Sequence, residues 1–477
     1  MLLGVILYMA LMLVIGYWSR SKIKSPEDFL VAGRHLPYPL ATATLFATWF
    51  GAGSCMGASG TVYEQGILGV ISDPIAAGLS LIIAGLFYVR LLRRLKLLTV
   101  VDIFGKYYGK NCEFFAAFLM VPVYISWLGS QIVALGFLLN FLTGIDASHG
   151  MILSTFFVLF YTYIGGMWAI TLVDILHVTV LISGLLIMFV VILNHVGGVG
   201  PLLAQTPSDF VRFFPSNAGF HDWLGYAGQW GLMGLGCVVG QDLVQKSLSS
   251  KNEKVAQQSA ISAGLIYWCT GTMIILISLS GRLILPGLED PETLLPNMGM
   301  KFLPLVALVL FIGALVSAIM SSAAASLLAA TSLATHNLIF KIFPLNEKTV
   351  LRGTRIATII VTVLALALAL YIKQIYALMV NSWVFLFVGI LVPVTAALYW
   401  KKANAPAAWT SMIAGSLAWA IYVLTKTGNL SDVSDEIFYQ AAMVGGLVSF
   451  GGYLLATFLR YSKIIPVKTA CEYPPEN

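Results

Sequence analysis

The chain has 477 residues, of which 59% are hydrophobic and only 10% charged, where a soluble domain carries about 25% charged residues. That composition excludes a soluble globular enzyme, and the net charge of +6 sits in loops between apolar runs rather than on a nucleic-acid-binding face. The five cysteines form no CxxC pair and no Cys/His cluster, so neither a zinc site nor a disulfide framework is expected.

Apolar runs of about 20 residues, enough to cross a bilayer as a helix, recur along the chain. They predict an all-α integral membrane protein of thirteen spans, near 2–19, 37–61, 66–92, 113–143, 150–166, 170–194, 223–245, 257–281, 303–339, 351–372, 375–400, 407–425 and 436–459. The first lacks a basic lead-in and reads as a retained span, not a cleaved signal. With the N-terminus outside and the C-terminus in the cytoplasm, only Arg212, Arg282, Lys301, Lys373 and Lys426 face out, leaving 22 of the 27 Lys and Arg inside. That is the bias of the positive-inside rule.

In chain order, the second span holds "FATWFGAGSCMGASG", with Gly51 and Gly53 at its middle. Glycine there serves close packing between helices or marks a discontinuous helix whose freed carbonyls need a partner such as a cation. The third span carries Asp73, the sixth Asp174 and the seventh Asp242. Carboxylates inside spans are costly and tend to be functional. Lys246 lies one turn after Asp242 and is the expected partner for it. The seventh span also holds "GLMGLGCVVGQ", with Gly236 and Gly240.

Interrupted spans two and seven stand five apart. This spacing predicts a five-plus-five inverted repeat within one transporter domain over 1–477: a leading helix and loop at 1–36, a first repeat at 37–194, a second at 223–400, and two further helices with a short tail at 401–477. The ninth span supplies adjacent hydroxyls, Ser321 and Ser322, one turn after Ala318. Carbonyls and hydroxyls suit a hard cation such as Na⁺, although serines in helices also bond back to their own backbone.

These residues resemble the sodium/solute symporter family. The similarity rests on "VAGR" at Val31–Arg34, "YTYIGGMWAITLVDILH" at Tyr161–His177, "GQDLVQKSLSSKN" in the seventh span and "AIMSS" in the ninth. It implies a LeuT-type fold and sodium-driven uptake by alternating access. Carried over by position, it places a sodium site on the carbonyls of Ala47 and Phe50 with Ala318, Ser321 and Ser322, and a coupling role on Asp174. Val173, His177 and Lys246 depart from the family pattern, and Ala324 and Ala325 stand where members with a second sodium carry hydroxyls. One coupled sodium is expected.

Within the family, "ATWFGAGS" and "SAIMSSAAASLLAATS" resemble the choline transporter branch. That similarity puts Trp49 against a quaternary ammonium, with Trp127 as a second aromatic. Aromatic faces attract such cations, and Asp73 offers a counter-charge. Two further aromatics of that branch's cage are replaced here, near Ala77 and Gly240. A betaine, proline or another amino acid held by Trp49, Asp73 and Gln131 therefore remains the alternative. A transporter-like sensor is a distant third, because the tail after Arg460 is too short for a signalling domain. The expected partners are a small solute, sodium and the lipid bilayer of the plasma (inner) membrane, with no nucleic acid and no obligate protein partner. No HExxH, nucleophile elbow or P-loop points to an enzyme.

Overall fold

The computed structural model describes residues 31–461 apart from 217–218, 341–346 and 430–432, with scattered positions before residue 31. The expected leading span at 2–19 is largely outside the described residues, as is the tail beyond 461. Among the described residues the chain is helical throughout, with a single isolated bridge joining Leu36 to Ser250.

Eight described helices are long and apolar enough to cross a membrane, from Ile67–Leu95 to Asp435–Arg460. The difference from thirteen has identifiable causes. The second, seventh and eleventh spans are interrupted, so none forms one long helix. In the second, α1 (Tyr38–Trp49) ends at Phe50, whose φ of −81° and ψ of 68° leave the helical region, and helix resumes through Gly53–Gly57 into α2 (Ala58–Gln65). The fourth span is α3 (Lys110–Thr143).

The fifth and sixth spans fall in one helical element, α4 (Ala147–Val196). Ser148 near its start meets Lys373, and His195 at its end meets Phe302 edge-on. Lys373 and Phe302 flank loops that the span count expects on one side of the membrane.

In the seventh span, α5 (Phe220–Gln229) passes through a loosened stretch to Gly240, which is extended at φ −62° and ψ 138°. Helix α6 (Gln241–Ser249) follows, then α7 (Glu253–Ile284) and α8 (Leu305–Ser332). In the eleventh span, α9 (Ile375–Ser382) is broken by a turn at Trp383, and helix resumes at Val384.

The third span breaks too, which the sequence reading did not anticipate. Asp73 takes φ −143° and ψ 123°. Pro74 follows it, and a residue before proline is pushed out of the α region by the ring.

Helix α8 is the centre of the molecule. Every residue from Phe311 to Ser332 is buried, as expected for a helix that is apolar on all sides. It packs against α3, α4 and α1. Glycines set the closest approaches: a Cβ at Gly231, Gly236 or Gly446 would each fall within 3 Å of the Phe387 ring or its Cβ. One phenyl thus seats on three glycines from two separate spans, and Gly236 is part of this packing while Gly240 marks the break.

Candidate functional site

The interruptions at Phe50, Asp73, Gly240 and Trp383 meet at the centre of the bundle around a small cavity of about 10 Å³, room for roughly one water. Trp49, Asp73, Trp127, Met233, Cys237, Tyr267, Met379 and Trp383 line it. Trp383 lies 5.0 Å from Trp127 and 6.4 Å from Trp49 between ring centroids, and Tyr124 meets it edge-on at 5.9 Å. This is an aromatic wall drawn from the second, fourth and eleventh spans.

Two carboxylates brace that wall. Asp73 accepts from Ser54 Oγ and from the Tyr267 hydroxyl, each at 2.7 Å. Asp242 accepts from the Trp49 indole N–H and, at 2.8 Å, from the Tyr124 hydroxyl. Both carboxylates are buried, and among the described residues neither has a Lys or Arg within ion-pair distance. The expected pairing of Asp242 with Lys246 is corrected: the Lys246 ammonium turns to Asp174 Oδ2 at 3.5 Å and donates to Thr44 Oγ1 at 2.5 Å. In α6 the one-turn spacing was available, but the ammonium found an acceptor pair on α1 and α4.

Beside this pair lie the residues expected to hold sodium. Ser322 Oγ donates to the Ala47 carbonyl at 3.0 Å, and Ser321 Oγ donates to Asp174 Oδ1. Gly51 N–H bonds to Trp49 O, at 2.9 Å, not to Ala47 O four residues back. The Ala47 carbonyl is thereby released from the helical ladder and faces α8. A Cβ at Gly51 would lie 2.5 Å from Ser322 Oγ and 2.7 Å from Gln131 Oε1, so only glycine permits this approach. Gly53 is closed in the same way by the Met379 side chain of α9. The donor set is wholly oxygen, which fits a hard monovalent cation. Lys246 neutralises Asp174, so the carbonyls and hydroxyls expected to hold sodium stand next to a balanced pair.

Of the residues expected at the solute, Trp49, Asp73 and Trp127 line the cavity and Gln131 does not. Gln131 Oε1 accepts the Ala52 N–H at 3.0 Å and so holds the restart of the broken helix. Ala318 is buried one turn before Ser321. Sequence reasoning missed Trp383, Tyr267, Tyr124 and Thr44. Only Thr44 carried a signal, through its four-residue spacing from Thr48 on a largely apolar helix.

Comparison with known proteins gives a consistent picture. A model of the "Sodium:solute symporter family" matches residues 29–415. The chain is 28% identical to a high-affinity choline transporter of Caenorhabditis elegans, covering 79% of this chain and 70% of that one. It is 26% identical to the human high affinity choline transporter, covering 87% and 75%. It is also 26% identical to a sodium/pantothenate symporter of Haemophilus influenzae, covering 92% of both. In fold it superposes on a substrate-bound, outward-open Na⁺-coupled sialic acid symporter with a TM-score of 0.78 at 17% identity, over 98% of each chain. A nucleobase-cation-symport-1 family transporter in a closed conformation gives 0.60 at 13%, over 91% of this chain and 96% of that one.

Proposed function

Because this chain belongs to the sodium:solute symporter family, we propose that it couples the inward sodium gradient to uptake of a small organic cation, best matched by choline or a related quaternary amine. It is a multi-pass transporter and not an enzyme; the plasma membrane, with the N-terminus outside, is the setting that suits this role.

The observation that carries the reading is charge. Asp73, Asp174 and Asp242 are buried in the core with one lysine, and that lysine is paired with Asp174. Leaving two carboxylates buried without counter-charge is costly, several kcal/mol per ion. One sodium and one monovalent cationic solute would restore neutrality. The aromatic wall gives such a cation its favourable surface. Asp73 already receives two hydroxyl donors, so it acts on the solute as a charge more than as a hydrogen-bond acceptor, which suits an ammonium without N–H groups. Among the relatives, the choline transporters fit this pocket. Pantothenate is a carboxylate anion, and two unpaired aspartates would repel it.

In this scheme sodium binds between Ala47, Phe50, Ala318, Ser321 and Ser322 and holds α1 to α8. The solute then binds against Trp49, Trp127 and Asp73 with the outer side open. Closure of that side and opening of the inner one releases both. At about 100 mV, each positive charge moved inward gains roughly 2.3 kcal/mol.

The test is uptake of radiolabelled choline, betaine, proline and pantothenate into proteoliposomes, with and without an inward sodium gradient. Sodium-dependent choline uptake is the expected result. Uptake confined to proline or pantothenate would overturn the cation reading and keep symport. Uptake indifferent to sodium would overturn the coupling.

A further inference from the structure

Trp383 occupies a particular position in the wall. It follows α9 directly, where φ −78° and ψ −6° end the helix, and its backbone N–H bonds to Val380 O at 3.2 Å. The side chain is 3% exposed and lines the cavity. Its indole N–H has no hydrogen-bond partner among the described residues. Trp49, which lines the same cavity, has its indole N–H satisfied by Asp242. A buried donor left without a partner is costly and rare enough to need an explanation.

We propose that the Trp383 N–H is the donor for an oxygen atom of the transported solute, so that the site selects an ammonium that also bears a hydroxyl or other acceptor oxygen. This rests on the organic-cation reading above and narrows it. The wall divides the work. Trp49, Trp127 and the Trp383 ring face the ammonium, and Asp73 balances it. The Ser54 and Tyr267 hydroxyls are already given to Asp73 and are not free to donate elsewhere. Cys237, the other polar lining group, lies near Met233 Sδ and Leu232 O, at 3.6 Å and 3.9 Å, and a thiol is a weak donor. A quaternary ammonium cannot use an N–H donor, but an oxygen on its side chain can.

The experiment compares choline with ethyltrimethylammonium, which has the same head group and chain length without the oxygen. Apparent inhibition constants against sodium-driven uptake are measured for wild type, Trp383→Phe and Trp383→Ala. Wild type should favour choline by roughly 2- to 13-fold, the worth of one hydrogen bond. Trp383→Phe keeps a ring and removes the donor; the ratio should fall to near one, with ethyltrimethylammonium little changed. Trp383→Ala should weaken both. Trp419→Phe, which alters another indole without a partner, packed on Phe385 and Phe438 away from the cavity, should leave the ratio as in wild type. A sodium-dependent thermal shift confirms that each variant is folded. A ratio near one in wild type, or a ratio unchanged in Trp383→Phe, overturns the role of the N–H while leaving the cation reading intact. If wild type binds neither compound, the cation reading falls and this inference with it.

Discussion

Lys246 and Asp174 form an ion pair at 3.5 Å with both side chains sealed from solvent. Thr44 joins them, accepting from the ammonium and donating to the carboxylate. Removing one member of such a pair leaves a buried charge uncompensated, which costs about 3–5 kcal/mol. Lys246→Met should therefore lower stability by that order, and Asp174→Asn combined with Lys246→Met should recover most of it. Thermal unfolding of the purified protein in detergent, set out as a double-mutant cycle, checks this. Additive losses would show that the two groups do not depend on each other.

Ser322 approaches the Ala47 carbonyl through the gap that Gly51 leaves. Ser322→Ala removes one oxygen from the proposed sodium site. A hydrogen bond or ligand contact to a charged group contributes about 1.5–3 kcal/mol, so half-saturation by sodium should rise roughly ten- to a hundredfold. Gly51→Ala should be worse, because its Cβ would displace both Ser322 and Gln131. Initial uptake rates as a function of sodium concentration provide the measurement. An unaltered sodium dependence in Ser322→Ala would place the ion elsewhere.

Asp73 is the carboxylate nearest the proposed solute and has hydroxyl donors but no cationic partner. Asp73→Asn keeps its shape and removes its charge. KM for choline should rise about tenfold or more, in line with about 1.4 kcal/mol per decade, whereas binding of a zwitterion should change less. Asp242→Asn should act differently, by loosening the Trp49 indole and weakening cations and zwitterions alike.

Glu292 offers a pH effect outside the spans. Its carboxylate accepts the Tyr376 and Ile375 N–H groups at 3.2 and 3.5 Å and so ties the Pro291–Thr293 turn to the start of α9. Burial pushes its carboxyl up to about 7 from an ordinary 4.5, and Asp290 and Glu64 add to the rise. Asp435, Lys373 and Tyr376 face the same cavity of about 470 Å³. A raised carboxyl binds more protons folded than unfolded between these two values, so its support is complete below pH 4.5 and fades as pH rises through about 7. The melting temperature should fall between pH 5 and pH 8, by the equivalent of about 1–3 kcal/mol. Glu292→Gln should flatten that slope. An equal slope in both proteins would assign the pH effect to other groups.

The broken helices at Gly51 and Gly240 were legible because glycine clusters inside apolar runs have few other uses. The approach of Ser322 to Ala47 was legible only through a known motif, since hydroxyls on a helix look alike until a neighbour is placed. Trp383 and Tyr267 were not legible: an aromatic in an apolar span reads as packing, and only the breaks at Asp73 and Trp383 turn these side chains to one centre. The partner of Lys246 was misread for a related reason. Asp242 is four residues away and Asp174 seventy-two, and sequence distance favours the wrong one.

Trp49 lies between Ala47 and Phe50, the two residues whose carbonyls are proposed to hold the ion. Its indole faces the cavity, while its own carbonyl accepts from the Gly51 amide. Ion and solute would thus read opposite sides of one four-residue stretch of chain. Neither could be released by a shift of that stretch that left the other in place. A carrier built this way would resist slippage: sodium could not leak through alone without first undoing the wall that the solute rests on.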